Sequence, residues 1–145
     1  FFTGFTRFSS DVQKANSTTS PDDKEMMLKK MKNLVDEAEA ILVNDEQDLD
    51  DFGRLLDTTW KLKRQIGGSV STSNIDILYD KGIKAGALGG KLLGAGGGGF
   101  LVFYVQPDKQ DSVKKAMSDL MYIPFEFENG GTQVIHYTPE SYESE

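Results

Sequence analysis

The stretch of sequence that decides the fold is Lys91-Leu92-Leu93-Gly94-Ala95-Gly96-Gly97-Gly98-Gly99, followed directly by Phe100-Leu101-Val102-Phe103-Tyr104-Val105. Residues 100–105 form a continuous apolar run, which is typical of a central strand that is covered on both faces. Residues 88–93 predict a second, short strand. Nine of the 15 glycines lie between residues 82 and 99, and five of these nine stand in the loop that joins the two strands.

This glycine loop is also the strongest candidate for chemistry. Glycine at positive φ allows successive backbone N–H groups to converge on an anion. A loop that approaches a phosphate or a substrate oxyanion and a flexible hairpin between two strands both fit the composition. The loop is not a Walker A motif, which ends in Gly-Lys-Ser/Thr. It is not a dinucleotide-binding motif either, because a strand follows it instead of a helix.

Hydrophobic periodicity predicts the elements on both sides of the loop. The predicted helices cover residues 22–43, 49–65, 73–85 and a segment that begins at Pro107; the predicted strands cover residues 1–8, 88–93, 100–105, 123–127 and 134–137. Helices that precede a run of strands indicate an α+β domain, with an antiparallel sheet and helices on one face.

Several residues predict local details of these elements. Asp48 and Ser73 are expected to cap their helices, and Asp76 to complete a capping box with Ser73. Trp60 is expected in the core. The methionine face of the first long helix, which comprises Met26, Met27 and Met31, is also interpreted as core packing.

Composition excludes several classes of function. The net charge of −7 argues against sequence-independent binding of nucleic acid, which depends on cations that neutralise phosphates. There is no cysteine, and therefore no disulfide, thiolate site or cysteine nucleophile. His136 is the single histidine, so a histidine pair for a metal ion is absent. The absence of a long apolar run excludes a membrane-spanning helix, and we expect a cytoplasmic protein.

A second candidate site is Thr3-Gly4-Phe5-Thr6-Arg7. Its glycine allows a ligand to approach the strand, and Arg7 is suited to a phosphate group. A surface arginine at the end of a strand is the plainer reading. Ser69, Ser71, Thr72 and Ser73 offer hydroxyls to a sugar, although helix capping explains at least one of them.

The segment Lys91–Phe100 closely resembles the third conserved motif of the GHMP kinases, the superfamily of galactokinase, homoserine kinase and mevalonate kinase. Further similarities are Ile75-Asp76, Gly86-Ala87-Leu88-Gly89-Gly90, Thr3–Arg7 and Trp60-Lys61-Leu62-Lys63-Arg64. These segments resemble the sugar-kinase branch of the family, including its heptose 7-phosphate kinases. The resemblance extends from Phe1 to about Tyr137.

The resemblance implies a ferredoxin-like C-terminal domain, with a four-stranded antiparallel sheet and helices on one face. It implies transfer of the γ-phosphoryl group of Mg-ATP to a sugar, at the anomeric hydroxyl of D-glycero-D-manno-heptose 7-phosphate. It also implies a site that binds substrate or phosphate, with the following residues: Gly94, Ala95, Gly96, Gly97, Gly98, Thr6 and Arg7.

The phosphate-cradling motif of the family, Pro-x-x-x-Gly-Leu-Gly-Ser-Ser, does not occur in this sequence. We therefore expect residues 1–145 to be the C-terminal domain of a longer kinase, with residues 1–8 leading in and residues 138–145 as an acidic tail. Its partners are expected to be ATP, the sugar phosphate and the N-terminal domain, which holds most of the ATP and Mg²⁺ contacts. This fragment alone is expected to be inactive, with no catalytic or metal-ligating residue of its own. The alternatives are a non-enzymatic small-molecule-binding or regulatory domain of the same fold, and a fucokinase-like enzyme for an unphosphorylated sugar.

Overall fold

A computed structural model describes residues 1–4, 20–66, 71–94, 98–134 and 136 of the chain. Within these ranges the order of elements is α1 (Pro21–Val43), α2 (Leu49–Ile66), α3 (Ser73–Lys84), β1 (Gly89–Leu93), β2 (Phe100–Tyr104) and α4 (Gln110–Ala116). A 3₁₀ turn, Pro107–Lys109, leads into α4. The α+β class is confirmed, and none of the described helices is both long and apolar enough to cross a membrane.

The sheet pairs β1 with β2 in antiparallel register, with Gly89 opposite Tyr104 and Leu93 opposite Phe100. On the other side of β2, Phe2 forms one isolated bridge with Phe100 and a second with Met121. The backbone N–H of Phe2 donates to the carbonyl of Met121 at 2.9 Å. The described residues thus contain a two-stranded sheet with bridges beyond it, and the four-stranded sheet is not confirmed.

Three of the predicted strands are not formed as strands in the described residues. Of the first, residues 1–8, only residues 1–4 are described, and they contribute isolated bridges at Phe2. Residues 122–128 belong to no strand or helix, although Ile123, Phe125 and Phe127 alternate with Pro124, Glu126 and Glu128 as the pattern of a half-buried strand requires. Val134 and His136 are exposed and belong to no strand. Alternation predicts which residues share a face, but a strand forms only where a neighbouring backbone accepts its hydrogen bonds.

The helix starts follow local hydrogen bonding. Ser20 caps α1 by accepting from the N–H of Asp23 at 3.2 Å. The predicted cap of α2 is confirmed, because Asp48 accepts from the N–H of Asp50 at 2.9 Å. The predicted cap of α3 was wrong by one residue, since Thr72 is the N-cap and Ser73 is the first helical residue.

The capping box predicted at α3 was also wrong. With Thr72 as the N-cap, Asp76 lies one position beyond the capping-box site. Its carboxylate instead accepts from two side chains, Arg64 of α2 at 2.7 Å and Ser71, just before the N-cap, at 2.8 Å. The charged pair with Arg64 joins α2 to α3.

The core lies between the sheet and helices α2, α3 and α4. Its fully buried members are Trp60, Ile75, Tyr79, Ala87, Leu92, Leu101, Val113 and Met117. Trp60 is a core residue, as predicted from the apolar face of its helix. Its ring lies 5.8 Å from that of Tyr79, which in turn lies 5.7 Å from the ring of Phe103.

Helix α1 lies outside this core, and the interpretation of its methionine face was wrong. Met26 is 56% exposed, whereas Met27 and Met31 are only half-buried. The one buried residue of α1 is Ile41. A cavity shared with α2 is lined on the α1 side by Leu34, Glu37, Ala40 and Ile41. The second half of α1 therefore meets α2, and the methionines lie before that contact.

Candidate functional site

The glycine motif connects β1 to β2 at one end of the sheet. Because Leu93 and Phe100 are directly opposed, the loop leaves and re-enters the sheet at neighbouring positions. Gly94 has a φ of +100° and Gly99 a φ of +112°, a region that residues with a Cβ atom adopt only under strain. Gly98 is buried. The remaining predicted loop residues, Ala95, Gly96 and Gly97, lie outside the described residues.

Thr3 holds the second end of this loop, a contact that the sequence analysis missed. Its hydroxyl donates to the carbonyl of Gly99 at 2.9 Å, and the same oxygen accepts from the Gly99 N–H at 3.2 Å. The backbone N–H of Thr3 also donates to that carbonyl, at 2.8 Å. Thr3 is 3% exposed, so these bonds are shielded from water. No periodicity signals a contact across 96 residues of sequence.

The structure therefore joins the two candidate motifs that the sequence presents separately. Gly4 follows Thr3 directly with a φ of +77°, and a Cβ atom placed on it would meet no other atom within 4 Å. The chain thus turns in open space beside the glycine loop. The predicted site residues Thr6 and Arg7 lie outside the described residues, and their roles stay predictions.

Two lysines lie together near the start of the glycine loop. Lys91 is exposed on β1, three residues before Gly94, and Lys63 is half-buried on α2. Burial lowers the pKa of Lys63, and repulsion from the charge of Lys91 lowers it further. The described residues give neither lysine a carboxylate partner within 4.0 Å. This end of the sheet is thus locally cationic in a chain whose net charge is −7.

A polar contact between α3 and α2 lies next to β1. The Tyr79 hydroxyl donates to the Asp57 carboxylate at 2.9 Å. Burial raises the pKa of Tyr79, and the hydrogen bond to Asp57 and its charge raise it further, against a smaller opposing effect of the Gly90 N–H. Tyr79 is therefore a neutral donor that ties α3 to α2 and to the edge of β1.

Two of the hydroxyls proposed for sugar binding have structural partners. Thr72 caps α3, which confirms the capping interpretation for this residue, and the Ser71 hydroxyl donates to the Asp76 carboxylate. Ser73 is exposed at the first position of α3. Ser69 lies outside the described residues. His136 is exposed, and within the described ranges no three His, Asp or Glu side chains converge as metal ligands do.

Comparison with known proteins agrees with the resemblance described above. The family model for "GHMP kinases C terminal" matches residues 31–123. A D-glycero-alpha-D-manno-heptose 7-phosphate kinase from Campylobacter jejuni is 29% identical over 99% of this chain. Mevalonate kinases from Thermococcus gammatolerans and Pyrococcus horikoshii are 34% and 35% identical over 68% and 72% of it.

The relatives are much longer than this chain, which spans 40%, 29% and 31% of their respective lengths. The fold is similar to that of L. major mevalonate kinase, which was solved in complex with R-mevalonate. The TM-score is 0.64, with 24% identity over 81% of this chain and 36% of that structure. At this identity the similarity concerns the fold.

Proposed function

Since the chain belongs to the GHMP kinase family, as its C-terminal domain, we propose that the whole protein is an ATP-dependent sugar kinase. It transfers the γ-phosphoryl group of ATP to a sugar hydroxyl. The observation that carries this proposal is the geometry of the glycine loop. The loop begins and ends with glycines at positive φ, and Thr3 is hydrogen-bonded to its last residue. Such a loop presents backbone N–H groups to an anion without side chains in between.

For the substrate we propose D-glycero-D-manno-heptose 7-phosphate, phosphorylated at its anomeric hydroxyl. The heptose 7-phosphate kinase aligns with 99% of this chain, whereas the mevalonate kinases align with about 70%. Mevalonate is the second candidate, because those shorter alignments have the higher identity. The cationic end of the sheet suits a substrate that already carries a phosphate.

Within this enzyme, Gly94 to Gly98 approach the transferred phosphate or the substrate oxyanion. Thr6 and Arg7 lie at the mouth of the same site, and Arg7 binds the phosphate of the sugar with two parallel hydrogen bonds. These roles are assigned by resemblance to the family motifs and by the position of Thr3 and Gly4 beside the loop.

By resemblance to the family, we assign the Mg²⁺ ligands and most ATP contacts to the N-terminal domain of the longer protein. Mg²⁺ is commonly held by one or two carboxylates together with the phosphates of the nucleotide. The same division makes residues 1–145 alone inactive, because phosphoryl transfer depends on positioning by both sides of the cleft. A cytoplasmic location, where ATP is available, is part of the proposal.

The test is release of ADP by the full-length protein with Mg-ATP and each of four acceptors: heptose 7-phosphate, fucose, galactose and mevalonate. Turnover confined to heptose 7-phosphate supports the proposal. Turnover confined to mevalonate or to an unphosphorylated sugar keeps the kinase and overturns the substrate. Binding of a ligand without turnover of any acceptor favours a non-enzymatic domain of the same fold.

Arg7→Gln tests the phosphate contact in the same assay. It removes the charge and the guanidinium group while keeping a polar side chain, so the KM for the sugar phosphate rises about 10- to 100-fold and the KM for ATP does not change. Arg7→Lys is the matched control, because it keeps the charge but loses the paired geometry. An unchanged KM of Arg7→Gln for the sugar phosphate would show that Arg7 does not contact the phosphate, and would favour the alternative of a surface arginine.

A further inference from the structure

Helix α1 has two apolar faces, and its own domain covers only one of them. The covered face consists of half-buried or buried side chains, which are those of Met27, Met31, Leu34, Ala38 and Ile41. The second face carries Leu28, Val35 and Leu42, which are 50%, 62% and 56% exposed. A single exposed apolar residue is ordinary, but several on one face of a helix indicate a surface that a partner covers.

The three exposed side chains lie on one line along the helix, which we call the α1 stripe. They are separated by seven residues, which is close to two helical turns of about 3.6 residues each. Leu28 and Leu42 therefore stand about 21 Å apart along the axis, with Val35 midway between them. The half-buried Met31 and Ala38 each follow a stripe residue by three positions. Apolar residues that alternate at intervals of three and four are the pattern by which one helix packs against another.

The charges beside the α1 stripe change sign along the helix. Lys32 follows Leu28 by four residues and Glu39 follows Val35 by four, so both lie on the same flank of the stripe. Both side chains are exposed, and in the part of the chain that the structure describes neither has an oppositely charged partner within 4.0 Å. This flank is therefore basic before Val35 and acidic after it.

These features match a second copy of the same helix in antiparallel orientation. A twofold axis at Val35 places Leu28 of one copy beside Leu42 of the other, because both lie seven residues from Val35. The same axis keeps the charged flanks together, so Lys32 of each copy meets Glu39 of the other. Because the interface is isologous, this ion pair forms twice.

A parallel arrangement of the two helices does not fit. It would place each residue beside its own counterpart, including Lys24, which is exposed and precedes Leu28 on the same line by one turn. Two lysines side by side repel each other, and neither Lys32 nor Glu39 would meet an opposite charge. The order of the charges thus selects the antiparallel orientation.

We propose that the α1 stripe is a self-association surface, through which two copies of the protein pair antiparallel about Val35. The contact between α1 and α2 remains in place, because Leu34 and Ile41 lie about 100° around the helix from the stripe. A contact of about four turns between two helices buries less than the roughly 1,200 Å² of a stable interface. We therefore expect a dimer that dissociates on dilution.

The test uses the full-length protein and the two charged positions. Lys32→Glu and Glu39→Lys, each made alone, place like charges at both ion-pair positions of a homodimer. The dimer Kd of each variant, measured by sedimentation velocity, should rise about 10-fold. An equal mixture of the two variants should dimerise as tightly as the unmodified protein, because a mixed dimer again has an acid opposite a base at both positions.

Two further variants are the controls for net charge and for folding. Lys30→Glu makes the same change of charge at an exposed position almost opposite the stripe, and should leave the dimer Kd unchanged. Val35→Asp brings two carboxylates together at the twofold axis and should abolish the dimer. Because Val35 is exposed, its thermal unfolding midpoint should stay close to that of the unmodified protein.

A full-length protein that stays monomeric at its highest soluble concentration would overturn the proposal. A dimer that the charge variants do not weaken, or that their mixture does not restore, would also overturn it, because a different surface would then be in contact. A large loss of stability in Val35→Asp would assign the stripe to another part of the same protein and contradict the proposal as well. None of these measurements depends on which acceptor the enzyme phosphorylates.

Discussion

The Thr3 hydroxyl and the Gly99 backbone bond to each other in both directions, as donor at 2.9 Å and as acceptor at 3.2 Å. Gly99 ends the glycine loop, and Thr3 belongs to the segment that leads towards Thr6 and Arg7. A buried hydroxyl with two bonds to one residue restricts both segments at once. Thr3 and Gly99 thus join the described parts of the two motifs that resemble the kinase family, at the end of the sheet.

Removal of this hydroxyl should loosen the loop. Thr3→Val keeps the shape of the side chain but removes the acceptor of the part-buried Gly99 N–H, which costs about 1 kcal/mol of stability. Denaturant unfolding measures this loss. Thr3→Ser is the control, because it keeps the hydroxyl and should retain most of the stability. Equal stability of the valine and serine variants would show that the hydroxyl contributes nothing.

Gly89 is expected to tolerate no side chain. A Cβ atom there would fall on the carbonyl oxygen of Gly53 and within 2.7 Å of the Asp57 nitrogen, both backbone atoms of α2. Gly89→Ala must therefore separate β1 from α2, and we expect a loss of about 2 kcal/mol or more. Lys91→Ala, on the exposed surface of the same strand, should change stability by no more than about 0.5 kcal/mol. A lower unfolding midpoint for Lys91→Ala than for Gly89→Ala would contradict this packing.

Tyr79 should make stability fall at alkaline pH. Its pKa is raised above the ordinary value of 10.0 in the folded protein, so above pH 10.0 the unfolded chain has released a proton that the folded one retains. The contribution of Tyr79 to the free energy of unfolding is fully present below pH 10.0. Above pH 10.0 it decreases by about 1.4 kcal/mol per pH unit. Tyr79→Phe should lack this component of the slope. Between about pH 7 and 9, the free energy of unfolding of Tyr79→Phe should be lower than that of the unmodified protein by a constant amount. Identical slopes of stability against pH for the two proteins above pH 10.0 would refute the assignment.

Lys91→Gln should raise the pKa of Lys63, because the charge of Lys91 helps to lower it. The pKa of Lys63 should return only part of the way to its ordinary value, because burial, the larger cause of the lowering, remains. An NMR titration of the Lys63 side chain measures the change. Lys84→Gln, at the exposed end of α3, removes the same charge away from this contact and serves as the control. An equal shift in both variants would mean a general charge effect and not a specific pair.

The sequence by itself determined the elements whose signals are local. The apolar run at Phe100 placed β2, the cap at Asp48 placed α2, and Trp60 was assigned to the core. The glycine loop identified the family, because its residues are adjacent in the chain. Hydrophobic periodicity and capping act within a few residues, so these features need no knowledge of distant contacts.

Only the tertiary structure decided which segments became partners. It joined Thr3 to Gly99, moved Asp76 from its predicted cap to Arg64, and left the methionines of α1 outside the core. It also left residues 122–128 outside any strand in spite of their alternation. A helix satisfies its backbone within itself, whereas a strand depends on a neighbour that the local sequence does not specify.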